Sequence, residues 1–126
     1  MERGEKWLRQ ALDDLEWLAD SLAAGHYAQS CFVAQQVAEK AMKAIAYARG
    51  TEIVKTHSIL ALARALSVNG EIEKAAQVLD QYYMTTRYPD ALPDGYPGEF
   101  FTAEQASEAM RLATLVLSRA QGEIPL

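Results

Sequence analysis

The sequence predicts an all-α protein, an up-and-down antiparallel bundle of four main helices with one long loop. Three observations predict this fold class. Alanine, the best helix former, occurs 22 times in 126 residues, against four prolines and seven glycines. Apolar residues recur every three or four positions over most of the chain, and glycines separate the periodic segments. Hydrophobic residues make up 50% and charged residues 23%, a balance typical of a globular protein, so we treat 1–126 as a single domain.

The predicted helices follow one another through short connections. The first runs from about Glu5 to Ala24 and the second from about Tyr27 to Arg49, and a glycine follows each. A short third helix covers about His57 to Val68, and a fourth covers about Ile72 to Thr86. The last begins after Thr102, which has the spacing of a capping box with the glutamine three residues later.

The loop from Arg87 to Phe101 contains three prolines and two glycines, a composition that argues against helix. It is nevertheless aromatic and apolar, and loops of this length often have a function. A structural role is the alternative, in which Tyr96, Phe100 and Phe101 fold back over the open end of the bundle. The two roles are compatible, because an ordered loop can also position Arg87.

Charge and cysteine content restrict the class of protein. The formal net charge is -5 and the isoelectric point is about 5.0, which argues against a broad DNA-binding surface. Cys31 is the single cysteine, so an internal disulfide is excluded and a reducing, cytoplasmic setting is expected. It lies on an alanine-rich stripe, where we expect it to be packed rather than nucleophilic. We expect neither a signal peptide nor a membrane span, since no stretch approaches about 20 apolar residues.

Most motifs for cofactor chemistry are absent from the sequence. It has no glycine-rich phosphate loop and no dinucleotide fingerprint. One cysteine and two histidines, His26 and His57, do not suffice for a conventional zinc site, so neither a metal nor a cofactor is expected. His26 is interpreted as a surface residue at a helix start.

Two residues remain as candidates for chemistry. His57 opens the third helix, where a neutral imidazole could exchange a proton near pH 7; alternatively it caps or packs under the second helix. Arg87 leaves the fourth helix beside Tyr88, and its planar guanidinium suits a phosphate or a carboxylate. The alternative for Arg87 is a salt bridge, either to Asp90 or to a carboxylate of the bundle.

One face of the second helix carries polar side chains at spacings of three and four, which makes them neighbours. They are Gln36, Glu39, Lys40 and Lys43. Lys40 and Lys43 could supply positive charge near Arg87, enough for a pocket that holds one nucleotide. The simpler interpretation is that this face is solvated.

Three blocks of sequence resemble the HEPN domains of prokaryotes. The first is SCFVAQQVAEKAMKA, residues 30–44, whose QQ-x-AEKA-x-K run is fairly specific. The second is THSIL at 56–60, and the third is TRYPD at 86–90. In this order the blocks cover nearly the whole chain.

The resemblance implies a helical bundle that commonly dimerises. Many such domains are encoded beside a minimal nucleotidyltransferase, and the pair often acts as a toxin–antitoxin module. Others are metal-independent ribonucleases whose motif is an arginine followed, after four to six residues, by a histidine. Arg87 matches that arginine, but the three candidate histidine positions hold Leu92, Pro93 and Asp94. This departure predicts a domain without ribonuclease activity.

The function we expect is therefore binding of a partner nucleotidyltransferase and of a nucleotide. In this interpretation Arg87 contacts phosphate beside Tyr88, Lys40 and Lys43 add positive charge, and Glu39 or His57 orients them. The alternative is a ribonuclease that uses Arg87 with His57 or Asp94. The simplest alternative is a structural homodimer.

Dimerisation is a separate expectation, because several aromatic residues exceed what one small bundle needs to bury. They are Trp7, Trp17, Tyr82 and Tyr83.

Overall fold

A computed structural model describes residues 2–126, and within this range every regular element is helical. The predicted all-α fold is confirmed. The elements are α1 (Glu2–Ala23), α2 (Tyr27–Ala48), α3 (Ile59–Ala65), α4 (Glu71–Leu79), α5 (Tyr82–Thr85), a 3₁₀ turn (Pro89–Ala91), α6 (Pro97–Phe100) and α7 (Ala103–Glu123). Helix α2 packs against α1, α7, α3 and α4, which makes it the centre of the bundle.

Small side chains let α1 and α2 approach closely. Gly4 is buried, and a Cβ atom at this position would lie 2.8 Å from the carbonyl oxygen of Ala44 and 3.0 Å from the Cβ of Ala48. The alanine-rich stripe of α2 is buried along its length, and Cys31 within it is fully buried. The expectation that Cys31 is packed is confirmed.

The fourth predicted helix is interrupted, so the continuous segment expected over Ile72–Thr86 is wrong. Between α4 and α5, Asp80 and Gln81 keep helical backbone angles, but hydrogen bonds such as Tyr83 N to Asp80 O span three residues instead of four. The carboxylate of Asp80 accepts hydrogen bonds from Ser58 Oγ and from the amides of Ile59 and Leu60. Asp80 thus caps the start of α3, which begins at Ile59 rather than at His57.

The proline-rich loop also differs from expectation, because it contains two short helical turns. Pro89 and Pro97 each begin one, and proline is favoured there because the first amide of a helix needs no partner. Of the three aromatic residues expected to cover the bundle, only Phe101 is buried, against the edge of Tyr82. Tyr96 and Phe100 are exposed.

The C-terminal helix is tied down at both ends. Thr102 and Gln105 form the predicted capping box at the start of α7. Near its end, Glu123 accepts two hydrogen bonds from Arg49, at 3.0 and 2.9 Å, and Arg49 also donates to the carbonyl of Leu66. Arg49 therefore joins the ends of α2, α3 and α7.

Within residues 2–126 no helix is both long and apolar enough to cross a membrane.

Candidate functional site

Three side chains of α2 form a polar cluster with His57. Gln35, Glu39 and Lys43 lie one helical turn apart, so they are neighbours. Glu39 Oε1 accepts a hydrogen bond from Gln35 Nε2 at 3.2 Å, and Oε2 accepts one from Lys43 Nζ at 2.9 Å. His57 Nδ1 lies 3.3 Å from the same Oε2, and Gln35 Nε2 also donates to the His57 carbonyl. We call these four residues the Glu39 cluster.

The ion pair inside this cluster is buried. Glu39 is 3% exposed and Lys43 is 6% exposed, so each charge is compensated by its partner rather than by water. The solvated interpretation of this face is therefore wrong at Glu39 and Lys43. The periodicity of α2 did not reveal the burial of this ion pair, because a different helix covers it. Trp7 of α1 lies under the Lys43 ammonium, 5.4 Å from the ring centre.

Lys40 belongs to a different contact. Its ammonium forms an ion pair with Asp14 of α1, and Asp14 also accepts a hydrogen bond from Gln10 at 3.0 Å. The structure thus assigns each lysine a carboxylate of its own.

Arg87 lies among aromatic rings. Its guanidinium carbon is 4.6 Å from the ring centre of Phe32, 4.5 Å from that of Tyr83 and 4.9 Å from that of Tyr88. Its Nε donates to the carbonyl of Tyr83 at 2.8 Å. Within the described part of the chain Arg87 has no ion pair, so the alternative salt bridge to Asp90 does not form.

His57 and Arg87 both contact the ring of Tyr83. The imidazole stacks on the ring of Tyr83, with 4.9 Å between ring centres and 16° between planes, and Arg87 contacts the same ring. Because Nδ1 of His57 faces Glu39, a neutral His57 that donates there presents Nε2 as an acceptor. The structure therefore links the Glu39 cluster to Arg87 by way of Tyr83.

Beside Arg87 lies an open groove of about 600 Å³, lined by Tyr83, Met84, Arg87, Tyr88, Asp90 and Ala91. We call it the Arg87 groove. Met84 and Tyr88 expose 50% and 46% of their surface, which gives the groove an apolar and aromatic wall. A guanidinium beside flat apolar surface suits a ligand that carries both an anion and a planar ring.

Asp94 is the other residue that the sequence proposes to act with Arg87. Asp94 is exposed between the 3₁₀ turn and α6, it is not among the residues that line the Arg87 groove, and no hydrogen bond or ion pair joins it to Arg87. Leu92 and Pro93, the other positions where the ribonuclease motif has its histidine, carry no group able to transfer a proton.

Two other ionisable side chains of the core, Cys31 and Tyr82, stay protonated more readily than usual because burial disfavours their charged forms. Burial raises the pKa of the Cys31 thiol to about 12, so the group stays protonated and is a poor nucleophile at neutral pH. Burial also raises the pKa of the neighbouring Tyr82. Over residues 2–126 no group of three His, Cys, Asp or Glu side chains is arranged to hold a metal ion.

Sequence reasoning missed three residues of this region. Gln35 and Phe32 lie within the fairly specific run of α2, so that run was the available signal for them. Tyr83 lies one turn before Arg87, a spacing that makes the two side chains neighbours on a helix. The contact between Tyr83 and His57 could not be predicted from the spacing of residues along α5.

The comparisons with known proteins agree on the family. The model of the HEPN domain matches residues 4–123. The chain is 41% identical to TT1696 from Thermus thermophilus, whose crystal structure superposes with a TM-score of 0.92 over 98% of this chain and 100% of that one. It is 36% identical to ST0689, an archaeal HEPN homologue, with a TM-score of 0.84 over 98% of both chains. None of the curated proteins is significantly similar to it.

A family model that covers nearly the whole chain thus agrees with closely superposable relatives and with the three sequence blocks. The protein belongs to the HEPN domain family.

Proposed function

We propose that the chain is a catalytically silent HEPN domain that binds a partner nucleotidyltransferase and holds a nucleotide at Arg87, as part of a toxin–antitoxin-like module. The observation that supports it best is the state of Arg87. Its guanidinium is held by three aromatic rings and one carbonyl, it has no carboxylate partner within residues 2–126, and it opens on a groove. Such an arginine has donors available for a phosphate.

The silent character is supported by the positions after Arg87. Leu92 and Pro93 have no ionisable group, and Asp94 forms no hydrogen bond or ion pair with Arg87. The proposal of a nucleotidyltransferase partner is supported by membership of the family, many of whose members are encoded beside such an enzyme. The proposal assigns Lys43 and Glu39 to the support of His57 rather than to ligand contact, because both are buried.

Two assays test this function. The chain is co-expressed with a cognate minimal nucleotidyltransferase, and a complex that persists at micromolar concentrations is expected. Nucleotide binding is measured by isothermal titration calorimetry, and Arg87→Gln is expected to abolish it. Arg111→Gln is the matched control, since Arg111 pairs with Glu108 on the exposed face of α7. Absence of both the complex and the binding would refute the proposal.

One observation favours a second candidate, a metal-independent ribonuclease. His57 and Arg87 contact the same tyrosine ring, and Glu39 faces Nδ1 of His57 so that Nε2 is left as an acceptor. In that reaction Nε2 of His57 takes the proton of an RNA 2′-hydroxyl, and the 2′-oxygen attacks phosphorus to form a 2′,3′-cyclic phosphate. The bond to the 5′-oxygen breaks, and this oxygen takes a proton from a solvent water. Arg87 would bind the phosphate.

Cleavage of structured and single-stranded RNA in chelator decides between the two functions. The ribonuclease predicts cleavage that is lost in both Arg87→Gln and His57→Ala, while loss in Asp94→Asn instead would identify Asp94 as the base. No cleavage by folded protein favours the silent domain.

A further inference from the structure

The number of positive charges without an anionic partner at the Arg87 groove limits how many phosphate groups its ligand can carry. This inference rests on the nucleotide binding proposed above. Of the three cations that the sequence proposed for this site, Lys40, Lys43 and Arg87, two are already neutralised. Lys43 forms a buried ion pair with Glu39, and Lys40 forms an ion pair with Asp14 of α1. Neither ammonium lines the groove. Arg87 is therefore the cation that the groove itself offers to an anion.

An acidic residue stands next to this cation. Asp90 lines the groove together with Arg87, so the formal charge of the lining is zero. Asp80 lines the small neighbouring cavity that His57 and Tyr83 share, and its carboxylate is bound to the start of α3. Each phosphate group that a ligand adds beyond the first would meet these carboxylates rather than a second cation.

The hydrogen-bond donors of Arg87 also favour a ligand with one phosphate group. Nε is used by the carbonyl of Tyr83, and of the two terminal nitrogens only Nη2 has a partner within residues 2–126, a long 4.0 Å contact with the Met84 sulfur, a weak acceptor that a phosphate oxygen would replace. Two parallel N–H groups match two oxygens of one phosphate. The exposed surfaces of Tyr88 and Met84 lie beside it, where a base can stack on an aromatic ring.

We infer that the Arg87 groove selects nucleotides with a single phosphate group over nucleoside triphosphates. The phosphate binds the terminal nitrogens of Arg87, and the base lies against Tyr88 and Met84. The single phosphate is either the monoester of a free mononucleotide or the diester of a nucleic-acid strand, since both present two oxygens to the guanidinium.

Titration calorimetry of the full chain with AMP, ADP, ATP and the dinucleotide ApA, in chelator and about 0.15 M salt, tests this inference. AMP is expected to bind about three- to fivefold more tightly than ATP, with ADP between them; this is the effect of one unfavourable contact between exposed charges at the upper end of its usual range. The ratio of AMP to ApA affinity identifies the monoester or the diester as the preferred form.

Two variants of equal charge locate the origin of the selectivity. Asp90→Asn removes the acidic residue of the groove and is expected to raise ATP affinity about threefold or more, with little change for AMP. Asp13→Asn changes the net charge equally but lies exposed on α1, outside the groove lining, so it should leave the ratio unchanged. Equal effects of the two variants would assign the selectivity to overall charge and overturn the inference.

The outcomes separate this inference from the proposed function. ATP binding as tight as AMP binding, and lost in Arg87→Gln, overturns the inference and leaves the nucleotide site in place. Binding that Arg87→Gln does not change overturns both, because the ligand then lies elsewhere. No binding of any of the four ligands also overturns both.

Discussion

Replacing Glu39 by glutamine should destabilise the protein more than any other single change of a carboxylate to an amide. The substitution keeps the shape of the side chain and removes the charge that faces Lys43. Because Lys43 is buried, its ammonium would be left without a compensating anion in a poorly solvated place. Loss of one partner of a buried pair costs about 3–5 kcal/mol. We take about 3 kcal/mol, since the amide oxygen still accepts one hydrogen bond.

Thermal unfolding followed by circular dichroism measures this cost. With an unfolding entropy of about 2.1 cal/mol/K per residue over 126 residues, about 3 kcal/mol lowers Tm by about 11 °C. Asp14→Asn is the matched control. It removes the partner of Lys40, but the side chain of Lys40 is 23% exposed and its ammonium can reach water, so about 1 kcal/mol or less is expected.

A second variant shows whether the uncompensated charge is the cause. In Glu39→Gln with Lys43→Met both charges are gone, and an apolar pair in their place is often neutral or stabilising. The double variant should therefore be more stable than Glu39→Gln alone. The reasoning is refuted when Glu39→Gln costs no more than Asp14→Asn, or when Lys43→Met adds to its cost.

Two further substitutions test the packing and the capping, and the reactivity and titration of Cys31 test the core. Gly4→Ala should cost about 1–3 kcal/mol in urea denaturation although alanine favours helix, because its Cβ would approach the carbonyl of Ala44 to 2.8 Å; a gain in stability would contradict the close approach. Thr102→Ala should lower the free energy of unfolding by about 1 kcal/mol without changing the slope of the urea transition, and Thr102→Ser should restore it. Cys31, with its pKa raised from 9.0 to about 12 by burial, should resist a disulfide reagent at pH 8 until the protein unfolds; equal rates for the folded and unfolded protein would contradict this. The same shift predicts that stability falls between pH 9 and about 12, where the thiol ionises in the unfolded chain and not in the folded one.

The helices were predictable because their signals are local. The periodicity of apolar residues located α1, α2 and α7 to within a few residues, and Thr102 with Gln105 formed the capping box that their spacing indicated. The interruption at Asp80 was not predictable, since its carboxylate bonds the start of α3, more than twenty residues away in sequence. The prolines were misjudged because they begin helical turns as readily as they end them.

The candidate site was predictable in its residues and not in its connections. Glu39, His57 and Arg87 were identified from the sequence, whereas the stacking of His57 on Tyr83 depends on how the segment before α3 passes α5. Lys40 and Lys43 looked equivalent on a helical wheel. Their separation depends on Asp14, which α1 contributes and which the pattern of α2 does not contain.

The contrast between α2 and the segment 88–100 has a consequence for how the molecule opens. From Ser30 to Tyr47 no residue of α2 is exposed, whereas no residue from 88 to 100 is buried. Amide hydrogens of α2 should therefore exchange with solvent only when the whole bundle unfolds, and those around Tyr88 through small local openings. The Arg87 groove thus has one wall in the easily opened part of the chain, while its cation rests on Phe32 of the most protected helix. A ligand held between Arg87 and Tyr88 would slow exchange selectively near Tyr88.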